Sequence, residues 1–166
     1  MKKLVLFGNG DYAEAVYHTL ADDSVFEIAG FTVNAQYIEE KTFLGLPVVA
    51  FEEVESVFSP TDHEMLLPIS FQRLNQLRQE RYEQAKAKGY ALATYVSSNA
   101  TRRSNSSIGE NCLVFEYSCI SPGAKVGNNV TICQNVLIGH HVVVEDHCFI
   151  SPGAVLLGGV TVGAYS

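Results

Sequence analysis

The apolar residues of this chain follow two different periods. Up to about residue 95, short apolar runs alternate with amphipathic stretches, the pattern of strands alternating with helices. KLVLFG at 3–8 reads as a strand, and Asp11 to Ala21 as a helix with Ala13, Val16, Tyr17 and Leu20 on one face. VFEIAGFTV (25–33) is a second strand, and Pro47 opens a third, PVVA. FEEVESVF (51–58) is a short helix ending near Pro60, EMLLPIS (64–70) is another strand, and Leu74 to Lys88 is a long charged helix stopped by Gly89. ALATYV (91–96) is the last strand. Strand–helix alternation predicts a parallel sheet covered by helices, an α/β, Rossmann-like domain over residues 1–95.

From residue 96 to 166 the period becomes six. Positions 108, 114, 120, 126, 132, 138, 144, 150, 156 and 162 are all Ile, Val or Leu. Four residues after each comes a small or branched residue, from Cys112 and Ser118 through Val142 and Cys148 to Ser166. Six is neither a helical nor a simple strand period. It is the signature of a parallel β-helix, in which each hexapeptide supplies one short strand and one corner and three close a triangular coil. Residues 18 apart then stack at the inter-strand spacing of ~4.8 Å. The register breaks at Arg102, where an inward aliphatic is expected, so the first coil is expected to be irregular. The chain stops mid-repeat at Ser166, and an uncapped last coil exposes strand edges, so a C-terminal truncation or a covering element is expected.

Composition narrows the function. Hydrophobic residues make up 47% of the 166, enough for packed cores, and the formal net charge is −7. Arg102-Arg103 is the only adjacent arginine pair, so the clustered cations that phosphate backbones require are missing and nucleic acid is not an expected partner. No apolar run approaches the ~20 residues of a membrane span, so no membrane is expected either. MKKLVLFGNGDYAE begins like a signal peptide, but the apolar run Leu4–Phe7 is too short and leads into a glycine turn. Cys112, Cys119, Cys133 and Cys148 show no CxxC spacing and suit a reducing compartment, which points to the cytoplasm.

Three of the five histidines, His140, His141 and His147, crowd one stretch of the repeats. In the hexapeptide 138–143, Ile138 and Val142 take the inward places, which leaves His140 outside near a corner. A histidine there either removes a proton from a substrate or is a solvated surface residue. His141 is an equal rival if the register is off by one, and His147 is either functional or structural. Gaps of one, six and seven do not suit three ligands converging on one ion, so no metal is expected. Gly158 and Gly159 follow His140 and His141 by 18, so they should lie on the next coil against that pair. Two missing side chains there either serve corner geometry or open the backbone to a ligand. Cys112 and Cys148 lie two coils apart, ~9.6 Å, beyond the ~7 Å reach of a disulfide. In the first half, Gly8-Asn9-Gly10 joins a strand to a helix whose N-terminus can cradle a phosphate, but Ala13 takes the third glycine place of the dinucleotide fingerprint. Arg78 and Arg81 read as a solvated helix face.

LVLFGNGDYAE followed by hexapeptide repeats, with IGHH…EDHCFISPGAVLLGGVTVG near their middle, resembles the bacterial sugar acyltransferases related to sialic acid O-acetyltransferases and nucleotide-amino-sugar N-acetyltransferases. The resemblance spans essentially the whole chain. It implies a left-handed β-helix, a homotrimer, and acetyl-CoA as co-substrate in the groove between neighbouring β-helices. It further implies acetylation of an amino or hydroxyl group of a nucleotide-linked sugar in cell-surface glycan biosynthesis. His140, with His141 as its rival, falls at the general base, and Phe149 falls at the cofactor; the 18-residue stacking adds Gly158 and Gly159 to the cofactor side, where backbone N–H groups near them are expected to hold the thioester oxygen. Gly8, Asn9, Gly10, Asp11, Tyr12 and Asn34 fall at the sugar nucleotide. Four departures stand out. His141 replaces a carboxylate that relatives often carry, which leaves Glu145, Asp146 or Glu116 as candidates to orient the base. Phe149 replaces a second histidine, and Asp11-Tyr12-Ala13 with Val33-Asn34 replace a Gly-His-Gly turn and an Asp pair. The departures at His141 and Phe149 motivate an alternative: a non-catalytic sugar-nucleotide-binding or scaffold protein that retains the fold.

Overall fold

The computed structural model describes residues 3–23 and 26–166. By its contacts the chain separates into two compact units, Met1–Ile69 with Arg81–Ala93, and Ser70–Glu80 with Thr94–Ser166. The sequence suggested one division near residue 95; instead the segment 70–80 groups with the repeats.

In the first unit, β1 (Lys3–Phe7), α1 (Asp11–Asp23), β2 (Ile28–Val33), β3 (Thr42–Phe43), β4 (Leu46–Ala50), α2 (Val54–Val57) and β5 (His63–Leu66) follow in chain order. The sheet order is β3-β4-β2-β1-β5. Every pairing is parallel except the edge hairpin β3–β4. That hairpin, absent from the sequence reading, turns on Leu44 and Gly45, whose φ of 50° and 77° suit a tight two-residue loop. The sheet buries Leu4, Val5, Leu6, Phe31 and Met65 against Val16 and Leu20, two of the expected face residues of α1. The second strand was expected from Val25, which lies outside the described residues; the strand itself starts at Ile28. β5 stops at Leu66, just before Pro68, which has no N–H to offer a ladder. The expected last strand, 91–96, is two things: Leu92 makes a single bridge to Met65, and Tyr95–Val96 forms β6, which pairs with the repeats. The long helix α3 (Gln76–Ala87) starts two residues late, because Arg73, Leu74 and Asn75 all have positive φ.

The second unit carries β6 and eleven more two-residue strands: β7 (Thr101–Arg102), β8 (Ser107–Ile108), β9 (Leu113–Val114), β10 (Cys119–Ile120), β11 (Lys125–Val126), β12 (Thr131–Ile132), β13 (Leu137–Ile138), β14 (Val143–Val144), β15 (Phe149–Ile150), β16 (Val155–Leu156) and β17 (Thr161–Val162). They form three parallel sheets, β16-β13-β10-β7, β17-β14-β11-β8 and β15-β12-β9-β6. Each residue pairs with the one 18 places on, as in Ile120↔Ile138 and Val126↔Val144. This is the fold of a left-handed parallel β-helix. Val114 through Ile150 of the first aliphatic series and Cys112 through Cys148 of the second fill one buried core. The coil at Arg102 is less disturbed than expected. β7 pairs in register with β10, while the Arg102 side chain is exposed and its Nη2 donates to the Ser106 carbonyl at 2.9 Å.

The corners follow one rule. Asn105, Asn111, Tyr117, Gly123, Asn129, Asn135, His141, His147, Gly153, Gly159 and Tyr165, spaced by six, all have positive φ. A β-turn whose second central residue alone is left-handed is of type II, which favours Gly and Asn there. His141 and His147 therefore occupy corner positions that the backbone demands.

Segment 70–80 covers the outer face of the β6–β9–β12–β15 sheet within this unit. Asn75 Nδ2 donates to the carbonyls of Tyr165 and Ser166 at 3.2 and 3.1 Å. Arg78, expected on a solvated face, is instead 1% exposed. Its guanidinium donates to the carbonyls of Cys148 (2.9 Å) and His147 (3.2 Å) and to Thr131 Oγ1 (3.4 Å), and lies 5.9 Å from the Phe149 ring. A guanidinium is costly to bury unless its donors find acceptors, and the carbonyls of His147 and Cys148 serve its Nη2 here. The helical period at 74–88 showed charge; it could not show that the carbonyls of a coil face this one arginine.

Candidate active site

His140 and His141 form the corner that links β13 to β14. The turn closes through Val142 N–H to the Gly139 carbonyl at 3.4 Å, and both side chains are exposed. The two rings leave in opposite directions along the stack. The His140 ring lies across Gly158 on the next coil: a Cβ built there would sit 2.3 Å from Nε2 and 2.4 Å from Cε1. The His141 ring lies across Gly123 on the preceding coil, where a Cβ would sit 2.9 Å from Nε2 and from Cδ2. Between the rings, Nδ1 of His140 and Nδ1 of His141 approach to 3.3 Å. Gly139 is required by its own surroundings, since a Cβ would meet the Leu156 carbonyl oxygen at 2.6 Å and the Gly158 nitrogen at 2.8 Å.

Gly158 and Gly159 sit against the pair as the 18-residue stacking predicts. The Gly159 N–H donates to the His140 carbonyl at 2.9 Å, which locks the two corners together. That amide is thus used and does not serve as the thioester donor expected of it. The Gly158 N–H has no acceptor among the described residues. A shallow groove begins two residues after His141, lined by Lys125, Gly127, Val143, Glu145, Asp146 and Ala164.

The carboxylates considered as orienting groups are occupied elsewhere. Asp146 Oδ1 accepts the Asn128 N–H at 2.7 Å, and Glu145 Oε2 accepts the Ala164 N–H at 2.9 Å. Glu116 belongs to the corner of Tyr117, a different edge of the coil. The only polar partner of the His140 ring among the described residues is His141.

His147 belongs to another edge and has a structural place there. Asn111 Nδ2 donates to Asn129 Oδ1 at 2.7 Å, and Asn129 Nδ2 meets His147 Nδ1 at 2.8 Å. Tyr165 stacks on the His147 ring at 5.1 Å. These four residues, 18 apart, form a ladder up one corner, and the Asn129 contact makes His147 Nδ1 the acceptor. Phe149 lies on the sheet covered by segment 70–80, against Phe71 at 5.3 Å and Arg78. Within one chain the fold brings His140, His141, Gly158 and Gly159 together; it does not bring His147 or Phe149 to them.

All four cysteines are free. Burial pushes the thiols of Cys112 and Cys133 up to about 11, and that of Cys148 up as well, so none of these three is a nucleophile. Among the described residues no group of three or more His, Cys, Asp or Glu is placed to hold a metal ion, and no helix is long and apolar enough to cross a membrane.

The candidate nucleotide residues lie at the carboxyl ends of the strands of the first unit, where parallel sheets bind ligands. Gly8 has a φ of 124° and donates its N–H to the Thr32 carbonyl at 2.8 Å. Asn9 Nδ2 donates to the Tyr37 carbonyl at 3.0 Å, Gly10 precedes the helix, and Asp11 and Tyr12 open it. Asp11 and Glu14 already place two negative charges in the first turn of α1, which opposes a phosphate there. Asn34 Nδ2 donates to Glu52 Oε1 at 2.8 Å, and Glu52 Oε2 accepts the Ala35 N–H at 3.0 Å. The Asn34 bond is the main cause holding the Glu52 carboxyl below its ordinary value. Glu52 was missed from sequence, because it reaches this turn from 18 residues away. Arg81 lies over the Phe7 ring at 5.9 Å, on the same unit.

Residues 105–140 match the family model of the bacterial transferase hexapeptide (six repeats). No curated protein sequence matches the chain. Among solved structures, a perosamine N-acetyltransferase mutant from Caulobacter crescentus, in complex with CoA and GDP-perosamine, is 22% identical with a TM-score of 0.87, covering 99% of this chain and 76% of that one. The chain shares the fold of these acetyltransferases. The acetyltransferase domain of PglB from Neisseria gonorrhoeae FA1090 is 21% identical (TM-score 0.84, 99% of this chain, 78% of that one) and is also known with acetyl coenzyme A. WeeI from Acinetobacter baumannii AYE is 18% identical (TM-score 0.81, 97% of this chain, 74% of that one).

Proposed function

We propose that the protein is an acyl-CoA-dependent acetyltransferase that acts on an amino group, or a hydroxyl, of a nucleotide-linked sugar, and that it works as a cytoplasmic homotrimer. One observation carries this reading: an exposed imidazole lies across a bare glycine backbone at a β-helix corner, His140 over Gly158. A base with an unmet Nε2 beside a strip without side chains suits an extended thioester arm and its acceptor. His140 Nε2 takes the proton of the attacking amine as the C–N bond forms at the acetyl carbonyl. The C–S bond then breaks, and the proton passes to the departing thiolate. The Gly158 N–H, which has no acceptor among the described residues, is suited to the oxygen that gains charge in the tetrahedral intermediate.

The outward residues of the β7–β10–β13–β16 sheet support the trimer. Thr101, Cys119, Leu137 and Val155 form a stripe beside the edge that carries the histidine corner, and Leu137, Val155 and the nearby Leu157 are 39%, 58% and 70% exposed. A contiguous apolar stripe on a soluble surface marks a partner-binding face. A second copy there supplies the wall that a flat β-helix face lacks. In this reading the first unit is a Rossmann-like domain that holds the sugar nucleotide at the Gly8–Tyr12 turn and Asn34, with the phosphates away from the acidic first turn of α1.

Calorimetry with acetyl-CoA, together with thiol release in the presence of GDP-perosamine and a panel of nucleotide amino sugars, tests the function. Binding and turnover in the wild type, and loss of turnover in a trimeric His140→Ala variant, are expected. The alternative, a non-catalytic sugar-nucleotide-binding or scaffold protein, predicts neither acetyl-CoA binding nor thiol release.

A further inference from the structure

Resting on the reading of His140 as the base, we propose that His141 is a positioning residue that fixes the tautomer of His140. The two Nδ1 atoms stand 3.3 Å apart, and a single proton fits between them. One ring therefore donates from Nδ1 and the other accepts. Neither Nε2 has a partner among the described residues. If His140 donates, its Nε2 keeps a lone pair, aimed along the Gly158 backbone, and can take a proton from a substrate. If His141 donates, the proton of neutral His140 sits on Nε2 and the base is blocked. Proton removal over Gly158 requires the first arrangement, with His141 Nδ1 as acceptor and its Nε2–H in solvent.

The geometry explains why His141 can do this. Its φ of 56° is imposed by the corner, and its N–H donates to the Pro122 carbonyl at 3.2 Å, so its backbone is fixed from the coil before. Gly123 leaves room for the ring on that side. Only its Nδ1 is then left to face His140. Both nearby carboxylates, Glu145 and Asp146, are committed to backbone amides, so a neutral imidazole does the orienting. A neutral acceptor holds the ring but adds no ionic attraction to the imidazolium that forms during transfer.

Three substitutions separate this role from simple corner packing. Glycine is the residue best suited to positive φ, so His141→Gly keeps the corner and removes the acceptor. Asn and Asp tolerate the same φ, and their Oδ1 is attached to Cγ just as Nδ1 is, so His141→Asn retains a neutral acceptor and His141→Asp a charged one. With acetyl-CoA and GDP-perosamine as probes, kcat is expected to fall about three- to tenfold in His141→Gly, the worth of one neutral hydrogen bond, with KM for acetyl-CoA unchanged. His141→Asn restores most of kcat, and His141→Asp equals or exceeds the wild type. A corner role alone predicts that Gly serves at least as well as the others, and equal kcat in all four proteins overturns the proposal. The tautomer itself is read independently of turnover from ¹⁵N side-chain shifts of the full-length protein. Neutral His140 is expected as the Nδ1–H form in the wild type and as mainly Nε2–H in His141→Gly. An Nε2–H His140 in the wild type refutes the proposal even if the enzyme is active. Full turnover in His140→Ala instead refutes the base assignment beneath it.

Discussion

Adding a single methyl group at Gly158 tests the active corner while leaving the His140 side chain itself unaltered. The φ of Gly158 lies outside the left-handed region, so alanine adopts the same backbone. Its Cβ would stand 2.3 Å from His140 Nε2 and 2.4 Å from Cε1, where ordinary contact begins at 3.4 Å. The ring is exposed and free to swing, so it gives way by about 1 Å or more. A 1 Å misplacement of a catalytic group costs on the order of 100-fold, which corresponds to ~2.7 kcal/mol in the barrier. Stability moves the other way, because alanine narrows the unfolded ensemble by ~0.4–1 kcal/mol relative to glycine at a compatible site. Thiol release from acetyl-CoA gives kcat, and thermal unfolding followed by circular dichroism gives Tm. Gly158→Ala should lose about two orders of magnitude in kcat at an unchanged or slightly raised Tm. Wild-type kcat in a correctly folded Gly158→Ala protein would refute the placement of His140 over Gly158 as the working geometry.

Other outcomes follow from neighbouring features. Gly139→Ala places a methyl against the backbone at Leu156 and Gly158, which cannot swing aside as a side chain does, and should cost ~1–3 kcal/mol in a denaturation experiment. His147→Ala leaves the buried Asn129 amide without its acceptor and should cost ~1–3 kcal/mol, whereas His147→Asn continues the ladder and stays within ~1 kcal/mol of the wild type. Cys112, Cys133 and Cys148 should ignore a thiol reagent at neutral pH until the protein unfolds, since burial raises all three thiols. Cys119, on the outward apolar stripe, should react only on dissociation of the proposed trimer, and fast labelling of the intact assembly would move the interface elsewhere.

The six-residue period was readable because it is set by side-chain volume. Val114, Ile120, Ile132 and Ile138 must fill a narrow coil, so only aliphatic residues recur there. A second period was equally present and went unread: Asn or Gly at 105, 111, 123, 129, 135, 153 and 159, all with positive φ. It places His141 and His147 in the corner phase and leaves His140 as the histidine beside the corner position. What binds segment 70–80 had no such signal. Arg78 resembles any helix-surface arginine, and its burial depends on carbonyls at 147 and 148, some 70 residues away. The same holds for Glu52, which meets Asn34 only after β2 and β4 pair. The edge hairpin β3–β4 escaped because each partner contributes too few residues to show alternation. The His140–His141 contact depends on two rings leaving one turn in opposite directions, a matter of rotamers and stacked glycines that spacing alone does not determine.

Acetyl transfer at the His140 corner is the proposed reaction. Its most direct measurement is mass-spectrometric detection of acetylated product when the protein is incubated with acetyl-CoA and a panel of nucleotide amino sugars, run beside the His140→Ala variant. One acetyl group added to a panel member by the wild type, and none above background by His140→Ala at equal content of the proposed trimer, is the expected result. Equal product from both proteins, or no product together with no acetyl-CoA binding by the wild type, would contradict it.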